Sequence, residues 1–319
     1  MDLPAEVNGA LLCYLDTLEA CSLRALNKEW KQLVALFEWQ DRDTIIYEAK
    51  LWRTCFPRAS VAALDCFHSL KGTLQYFKGV KCLDISHNKF VKELVASDFS
   101  NLRGIHTLIM SGCKFSMSIN MEEALSNLAG IKGLDLSYTE RPTLTTTCFS
   151  YLEGIHELDL HSGVWRRERI SLQAISHLDG IKAFRISDTR LSDEMFQYLT
   201  HAKIVGISGC NGFTDEAFKY LTNVEELDMG FCDDAEVTDK GLFCLKNVKV
   251  INMGGCTQSG ITSSALQFLK ERVAGVSQCF RPFKGDAFKS FHVPTHDLRR
   301  HEFRSTLALA PYYFDHRLF

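Results

Sequence analysis

The sequence lacks the features that mark secreted, membrane-spanning and nucleic-acid-binding proteins. Among its 319 residues, 36 lysines and arginines are balanced by 39 aspartates and glutamates, so no basic excess indicates a polyanionic partner or a membrane surface. No apolar run approaches the roughly 18 residues of a membrane-spanning helix. The chain has no Asn-x-Ser/Thr sequon, no basic-then-apolar leader after Met1 and no Cys-x-x-Cys pair among its 12 cysteines. We therefore expect reduced thiols and a cytoplasmic or nuclear protein.

An apolar pattern recurs every 21 to 26 residues through most of the chain. Taking one apolar residue of each repeat as position 0 defines nine rows, in which positions −6, −3, 0, +3 and +5 are apolar in 42 of 45 cases. A composition that is 46% apolar would give about 21 such cases. The three exceptions, Gln267, Lys270 and Gln278, all fall in the ninth row. Position 0 is occupied by Val80, Ile105, Ile131, Ile155, Ile181, Ala202, Val224, Val248 and Val273.

The spacing of apolar residues changes within each row. From −6 to +3 the step is three residues, which is typical of a short helix or 3-10 turn, and from +3 to +5 it is two, which is typical of a strand. One helix–strand unit cannot bury its own apolar face, whereas stacked units bury a continuous core. The sequence therefore predicts an α/β fold: a curved solenoid with a parallel sheet on its concave side and helices or 3-10 turns on its convex side.

Two further positions of the rows identify a family resemblance. Position +8 is cysteine in four rows (Cys113, Cys210, Cys232, Cys256) and Asn88 in the first row, and the pairs Ser192-Asp193, Thr214-Asp215 and Thr238-Asp239 precede predicted helices. Over roughly residues 70–279 this pattern resembles the cysteine-containing subclass of leucine-rich repeats. Because these thiols lie a whole repeat apart without paired ligands, we interpret them as small core residues and not as a metal site. We assign residues 71–279 to the repeats.

The first 37 residues follow a different, helical pattern. They contain Leu3-Pro4-x-Glu6, then Leu12-Cys13-Tyr14-Leu15, then Leu23-Arg24-x-Leu26-x-Lys28-x-Trp30. These motifs resemble the F-box, from which the sequence departs at Asn8-Gly9, where the family has an apolar pair. We assign residues 1–37 to a small all-helical F-box domain. Residues 38–70, which include the Trp-containing segment 51–57, are expected to be a helical linker and N-terminal cap of the solenoid.

The F-box resemblance implies a function. F-box proteins are non-enzymatic substrate receptors: the F-box binds a Skp-family adaptor, which joins it to a cullin in an SCF-type ubiquitin ligase, and the second domain holds the substrate protein. By position, the adaptor-binding residues are Leu3, Pro4, Val7, Leu11, Leu12, Leu15 and Leu26, with the alternative that some of them pack only within the chain. Trp30 is expected in the core. The alternative function is a structural scaffold subunit of a ciliary, cytoskeletal or ribonucleoprotein assembly.

The solenoid offers two candidate partner-binding features. Position +4 faces the concave surface and carries charges at Asp84, Asp135, Asp159, Arg185 and Asp228. Position +1, at one rim, is mostly basic. These charges either recognise a charged partner segment or are a solvated face that keeps the array soluble. Two rows carry inserts, residues 139–147 and 161–171. The second contains Trp165, Arg166 and Arg167, residue types that are frequent at binding hot spots, although Trp165 alternatively packs beneath its own loop.

The remaining segment is an aromatic-rich tail, residues 280–319, which is expected to cap the last repeat or to bind elsewhere. Cys279, His292 and His296 match half of a zinc-finger spacing, but the Cys-x2–4-Cys half that should precede the histidines is missing, and Pro294 interrupts the helix that the histidines need. No nucleophile–base pair stands out. The sequence therefore predicts no catalytic residue, no metal and no cofactor.

Overall fold

The computed structural model describes residues 10–40, 44–139, 144–161, 170–232 and 235–271, together with the backbone of residues 275–277. In this part of the chain eleven strands form one sheet, and each strand pairs in parallel with its sequence neighbours. The strands are β1 Ile45–Ile46, β2 Val61–Leu64, β3 Cys82–Asp84, β4 Thr107–Ile109, β5 Gly133–Asp135, β6 Glu157–Leu160, β7 Ala183–Ile186, β8 Ile204–Gly206, β9 Glu226–Asp228, β10 Val250–Asn252 and β11 Gly275–Ser277.

The register of this sheet confirms the predicted repeat. Residues at position +3 pair in series from row to row, as in Leu83 with Leu108 and Leu108 with Leu134, and each of these three is fully buried. Their side chains point toward the helices and form the core. Each row contributes a short helix or 3-10 turn before its strand: Leu74–Phe77, Ala96–Leu102, Met121–Ser126, Thr146–Ser150, Leu172–Ser176, Asp193–Leu199, Asp215–Tyr220, Asp239–Leu242 and Ser263–Lys270, with a further 3-10 turn at Val91–Glu93.

The cysteines at position +8 link adjacent rows. Cys113, Cys210, Cys232 and Cys256 are buried, and each thiol donates to a backbone carbonyl of the preceding row. Cys232 Sγ, for example, lies 3.0 Å from the carbonyl oxygen of Ile207. Burial raises the pKa of Cys113 and of Cys210 to about 12, so these thiols stay protonated and unreactive at neutral pH. A small buried donor at this position therefore has a structural role.

Threonine and aspartate residues link the last rows on the helical side. Thr238 donates its backbone N–H (2.7 Å) and its hydroxyl (2.6 Å) to the two carboxylate oxygens of Asp215, while its Oγ1 accepts the N–H of Lys240 at the start of the next helix. Thr214 binds Asp193 and Thr262 binds Asp239 in the same way. Each threonine thus caps its own helix and joins that helix to the one before it.

The N-terminal residues pack onto the first rows of the solenoid. Residues 10–12 are helical and are followed by α1 (Thr17–Leu26) and α2 (Lys28–Leu36), which begin at capping residues Asp16 and Asn27. Trp39 is 1% exposed, donates its indole N–H to the Val34 carbonyl at 2.8 Å and packs edge-on against Phe56. Among the described residues, one hydrophobic cluster runs from Leu12 through the repeats, so the helices and the solenoid share a core.

The segment expected to be a helical linker is different in the structure. Residues 38–70 contain one helix, α3 (Ala49–Cys55), but also the strands β1 and β2, which extend the sheet by two members. The four residues of β2, Val61–Leu64, are all buried and all apolar, so the strand shows no polar–apolar alternation in the sequence. The segment is therefore part of the solenoid and closes its N-terminal end.

The Thr–Asp links make a prediction about stability. Asp215→Ala removes the acceptor of three hydrogen bonds, from the N–H and hydroxyl of Thr238 and from the N–H of Gly241. We expect the free energy of unfolding to fall by about 2–3 kcal/mol in urea denaturation. Glu216→Ala is the matched control: Glu216 is exposed and pairs only with the exposed Lys219 in the described chain, so its loss costs less than about 0.5 kcal/mol. Equal losses in the two variants would contradict the structural role of Asp215.

Candidate protein-binding surfaces

The face of the sheet that the helices do not cover is called here the open face. It is built from positions +2, +4 and +6 of each row, because alternate residues of a strand point to opposite sides. The register aligns these positions into columns that cross the strands. The +4 column reads Asp84, Ile109, Asp135, Asp159, Arg185, Gly206, Asp228 and Asn252, as predicted from the repeat.

The +4 carboxylates end their strands. Asp84 Oδ1 accepts the N–H of Ser86 at 2.7 Å, and Asp135 Oδ1 accepts the N–H of Ser137 at 2.8 Å. Asp159 and Asp228 accept the corresponding N–H groups of their rows at 2.8 and 3.0 Å. A short side-chain acceptor two residues before a donor is an Asx turn, which replaces the ladder hydrogen bonds where a strand stops. Four aspartates at +4 therefore have a structural reason to be there.

Burial corrects the expectation of solvated charges at two of these positions. Asp135 and Asp159 are neighbours in register and are 7% and 6% exposed. Burial raises the pKa of both carboxyls, and the pKa of Asp159 reaches about 7 because Asp135 repels its negative charge. They are buried because the rows stack at strand spacing, which leaves little room for water between short side chains. Their accessible charge is therefore small.

Arg185 covers the middle of the open face. Its Nη1 lies 3.8 Å from Oδ2 of Asp159, and its stem lies over Gly206, where an added Cβ would sit 2.9 Å from Cγ of Arg185. Beside it, Glu226 and Asp228 help to line a shallow pocket of about 40 Å³. A pocket of that size holds a water molecule or two and is far smaller than the sites that enclose metabolites or cofactors. This pocket on the open face is therefore too small to enclose a metabolite or a cofactor.

The edge where the strands begin has the opposite charge. Position +1 is formed by Lys81, His106, Lys132, His156, Lys182, Lys203, Glu225 and Lys249, and all but the half-buried Glu225 are exposed. The ammonium of Lys203 lies 2.9 Å from Glu225, which also pairs with Lys249. Hydrogen bonds from these two lysines, Lys249 first, hold the pKa of Glu225 at about 2. The charge that solvent can reach is thus basic along this edge.

The predicted adaptor-binding residues divide into exposed and buried groups. Leu11 and Leu26 are 42% and 65% exposed, whereas Leu12 is 2% exposed and Leu15 is half-buried against the core. Leu12 therefore packs within the chain, the alternative that the sequence left open. Trp30, expected in the core, is also half-buried against it. Leu3, Pro4 and Val7 lie outside the described residues, as do Trp165, Arg166 and Arg167 of the insert, Cys279, His292 and His296, and the tail from residue 280.

Sequence reasoning missed two members of the exposed apolar set. Leu36, the last residue of α2, is 58% exposed, and Tyr14 is 88% exposed although it stood in the F-box-like motif. The helical spacing gave no signal for Leu36, because it lies three residues after Leu33, and Leu26 on the same spacing is exposed as well. The exposure of Tyr14 depends on how the preceding turn packs, and the sequence pattern gave no signal for it.

Within the described ranges, no group of three or more His, Cys, Asp or Glu side chains is arranged to hold a metal ion. The described helices also include none with the length and apolar character needed to cross a bilayer.

The buried carboxyl of Asp159 predicts a pH dependence of stability. Its pKa is higher in the folded chain than the ordinary value of 3.8, so the folded state holds the proton more tightly and stability falls as pH rises from about 4 through about 7. Asp159→Asn cannot ionise but keeps the turn, since Asn252 Oδ1 accepts the Gly254 N–H at 3.0 Å. We expect the free energy of unfolding, measured by thermal denaturation, to fall between pH 5 and pH 8. The decrease should be about 1–3 kcal/mol smaller in the variant than in the unaltered protein. Parallel curves for the two proteins would contradict this reading.

Comparisons with known proteins bear on the fold. No protein-family model and no curated protein matches the sequence. Among solved structures, an internalin (inlF) from Listeria monocytogenes is 15% identical with a TM-score of 0.53, over 82% of this chain and 76% of that chain. A leucine-rich-repeat protein of Leptospira interrogans is 18% identical with a TM-score of 0.53, over 81% and 70%.

A third solved structure is much longer than this chain. It is the receptor chain of a TLR13–ssRNA13 complex, 15% identical with a TM-score of 0.49 over 76% of this chain, and the match spans only 35% of the receptor's length. The two structures with the higher TM-scores are similar to this chain in architecture. They assign no partner and no activity to it. Together with the observed register, they show that the chain has the leucine-rich-repeat fold.

Proposed function

We propose that this protein is a non-enzymatic substrate receptor of an SCF-type cullin ubiquitin ligase, acting in the cytoplasm or nucleus. Its N-terminal helices bind a Skp-family adaptor, and its solenoid binds the protein to be modified. The ubiquitin-transfer chemistry belongs to other subunits. The proposal joins the F-box-like motifs of residues 3–30 to a leucine-rich-repeat fold whose eleven-stranded sheet offers a broad open face.

The observation that carries the proposal is an excess of exposed apolar side chains on the N-terminal helices. Leu11, Tyr14, Leu26 and Leu36 are 42 to 88% exposed, all within 26 residues, while Ala20 and Val34 of the same helices are fully buried. Burying one large apolar side chain contributes about 1.5–3 kcal/mol, so a partner that covers these side chains gains free energy from each of them. Leu11 and Leu26 are two of the residues that the F-box resemblance places against the adaptor.

The shared core suits a receptor that holds two partners at a fixed separation. Because α1 and α2 pack into the same hydrophobic cluster as the repeats, the adaptor-binding end and the solenoid move as one unit. At about 4.8 Å per strand, the ten spacings from β1 to β11 place about 48 Å of sheet beyond the helices. A substrate bound along that length keeps a defined position relative to the adaptor, which is what ubiquitin transfer to the substrate requires.

The test is capture of the full chain with a purified Skp-family adaptor. We expect stoichiometric binding by the unaltered protein and its loss in the double variant Leu11→Asp with Leu26→Asp, because two charges would be buried in the apolar contact. Both residues are exposed, so the thermal unfolding midpoint should not change by more than about 2–3 °C. Leu172→Asp is the matched control, an exposed leucine (41%) on a helix of the repeats.

Three outcomes are informative. Adaptor binding that survives in Leu172→Asp and fails in the double variant supports the proposal. Absence of adaptor binding by the unaltered chain overturns it. Capture from cells of a fixed set of structural proteins without an adaptor also overturns it, and favours the scaffold of a large assembly.

A further inference from the structure

We propose that the strand-start edge of the first three rows binds an extended acidic segment of a partner protein. The basic edge is defined here as Lys78, Lys81, Arg103, His106 and Lys132, all of which are exposed. This inference rests on the proposed protein-binding role of the solenoid, but not on adaptor binding, which uses other residues.

The backbone holds the basic edge at a regular spacing. The N–H of His106 donates to the Lys81 carbonyl at 2.9 Å, and the N–H of Lys132 donates to the His106 carbonyl at 2.8 Å. The same ladder continues through the next rows to His156 and Lys182. Neighbouring +1 residues are therefore about 4.8 Å apart, and the three from Lys81 to Lys132 cover about 10 Å. About three residues of extended peptide span that distance.

Charge singles out the first three rows. Positions −2 and +1 of these rows carry five basic residues and Ala129, but no carboxylate. In the following rows, position −2 is Glu153 and then Asp179, both exposed, and Glu225 pairs with Lys203 and Lys249 farther along. The positive charge that is not paired along the edge is thus concentrated near the N-terminal end of the sheet.

Two of the five side chains, Arg103 and Lys132, are held at their charged groups by neighbouring rows while remaining exposed. The Arg103 guanidinium holds Asn127 Oδ1 at 2.9 Å, and Lys132 Nζ donates to the Gly154 carbonyl at 3.0 Å. Beneath them, Arg53 of α3 donates to the Lys78 carbonyl at 2.7 Å, which adds a further cation at the same end of the edge. Long side chains that are already ordered lose less conformational entropy when a carboxylate binds.

The open face favours an acidic peptide over a nucleic acid. Three residues along each strand, at about 10 Å, lies the +4 column, in which Asp84 is half-buried, and Glu157 at position +2 of the fourth row is half-buried on the same face. That distance is about one Debye length at physiological ionic strength, so phosphates reaching over the face meet negative charge. A duplex is about 20 Å wide and covers both the edge and the face, whereas one peptide strand fits the edge alone. The partner segment is therefore narrow and acidic.

The experiment measures binding of a fluorescein-labelled decapeptide of alternating Glu and Ser to the full chain by fluorescence anisotropy at 50 mM and 300 mM NaCl. We expect binding that weakens at the higher salt concentration. The triple variant Lys81→Glu, Arg103→Glu and Lys132→Glu should lose affinity about tenfold or more. The matched control, Lys50→Glu with Lys219→Glu and Lys240→Glu, changes net charge equally at exposed helical positions, and its affinity should stay within about twofold.

The outcomes separate this inference from the adaptor proposal. No binding of the acidic peptide, or equal loss in the two triple variants, overturns the inference. The inference is also overturned if a single-stranded oligonucleotide binds more tightly than the acidic peptide and the edge variant abolishes that binding. This result would favour nucleic acid as the partner. Adaptor capture is measured on the edge variant in parallel: if it is retained while peptide binding is lost, the edge is a second, separate site.

Discussion

The structure depends on hydrogen bonds between consecutive rows, because a row of about 24 residues has no core of its own. The rows satisfy polar groups through their neighbours: backbone groups of every strand through the sheet, the +8 thiol of four rows through a carbonyl of the preceding row, and the threonine of three rows through the preceding aspartate. These thiols, threonines and aspartates therefore hold the stack together. The four cysteines at position +8 and the carboxylates at position +4 have structural roles of this kind.

The same constraint decides which charges remain for a partner. The aspartates at position +4 each accept a backbone N–H near the end of a strand, and two of them are buried beside one another, so little of their charge is available to a partner. The basic +1 side chains are exposed, and the sheet ladder uses only their backbone groups, although Lys132, Lys203 and Lys249 also make side-chain contacts with the neighbouring row. Their cationic groups are therefore more accessible to a partner than the buried carboxylates of the +4 column.

The repeat could be predicted because position +3 is buried in all eight rows whose side chains the structure describes, as Leu83, Leu108 and Leu134 show. Strand β2 could not, since Val61–Leu64 is buried on both faces and carries no alternation. Burial of Asp135 and Asp159 also escaped the sequence: it depends on the close stacking of neighbouring strands and on Arg185, which are contacts between residues 24 to 50 positions apart. In the N-terminal helices, adjacent leucines Leu11 and Leu12 differ in exposure because only packing decides which faces the core.

The two proposed surfaces lie at the same end of the molecule. The basic edge begins at Lys78, whose carbonyl accepts a hydrogen bond from Arg53 of α3, and α1 is tied to α3 by Arg24, which donates to the Cys55 carbonyl at 2.9 Å. From β1 to β5 the sheet spans about 19 Å, so an acidic segment on the edge would lie close to the helices that carry Leu11 and Leu26. Because the core between them is continuous, a partner held at the edge and a partner held by the helices would keep a fixed distance. That arrangement leaves the rows from β6 onward free to contact the folded body of a partner whose acidic segment is already bound.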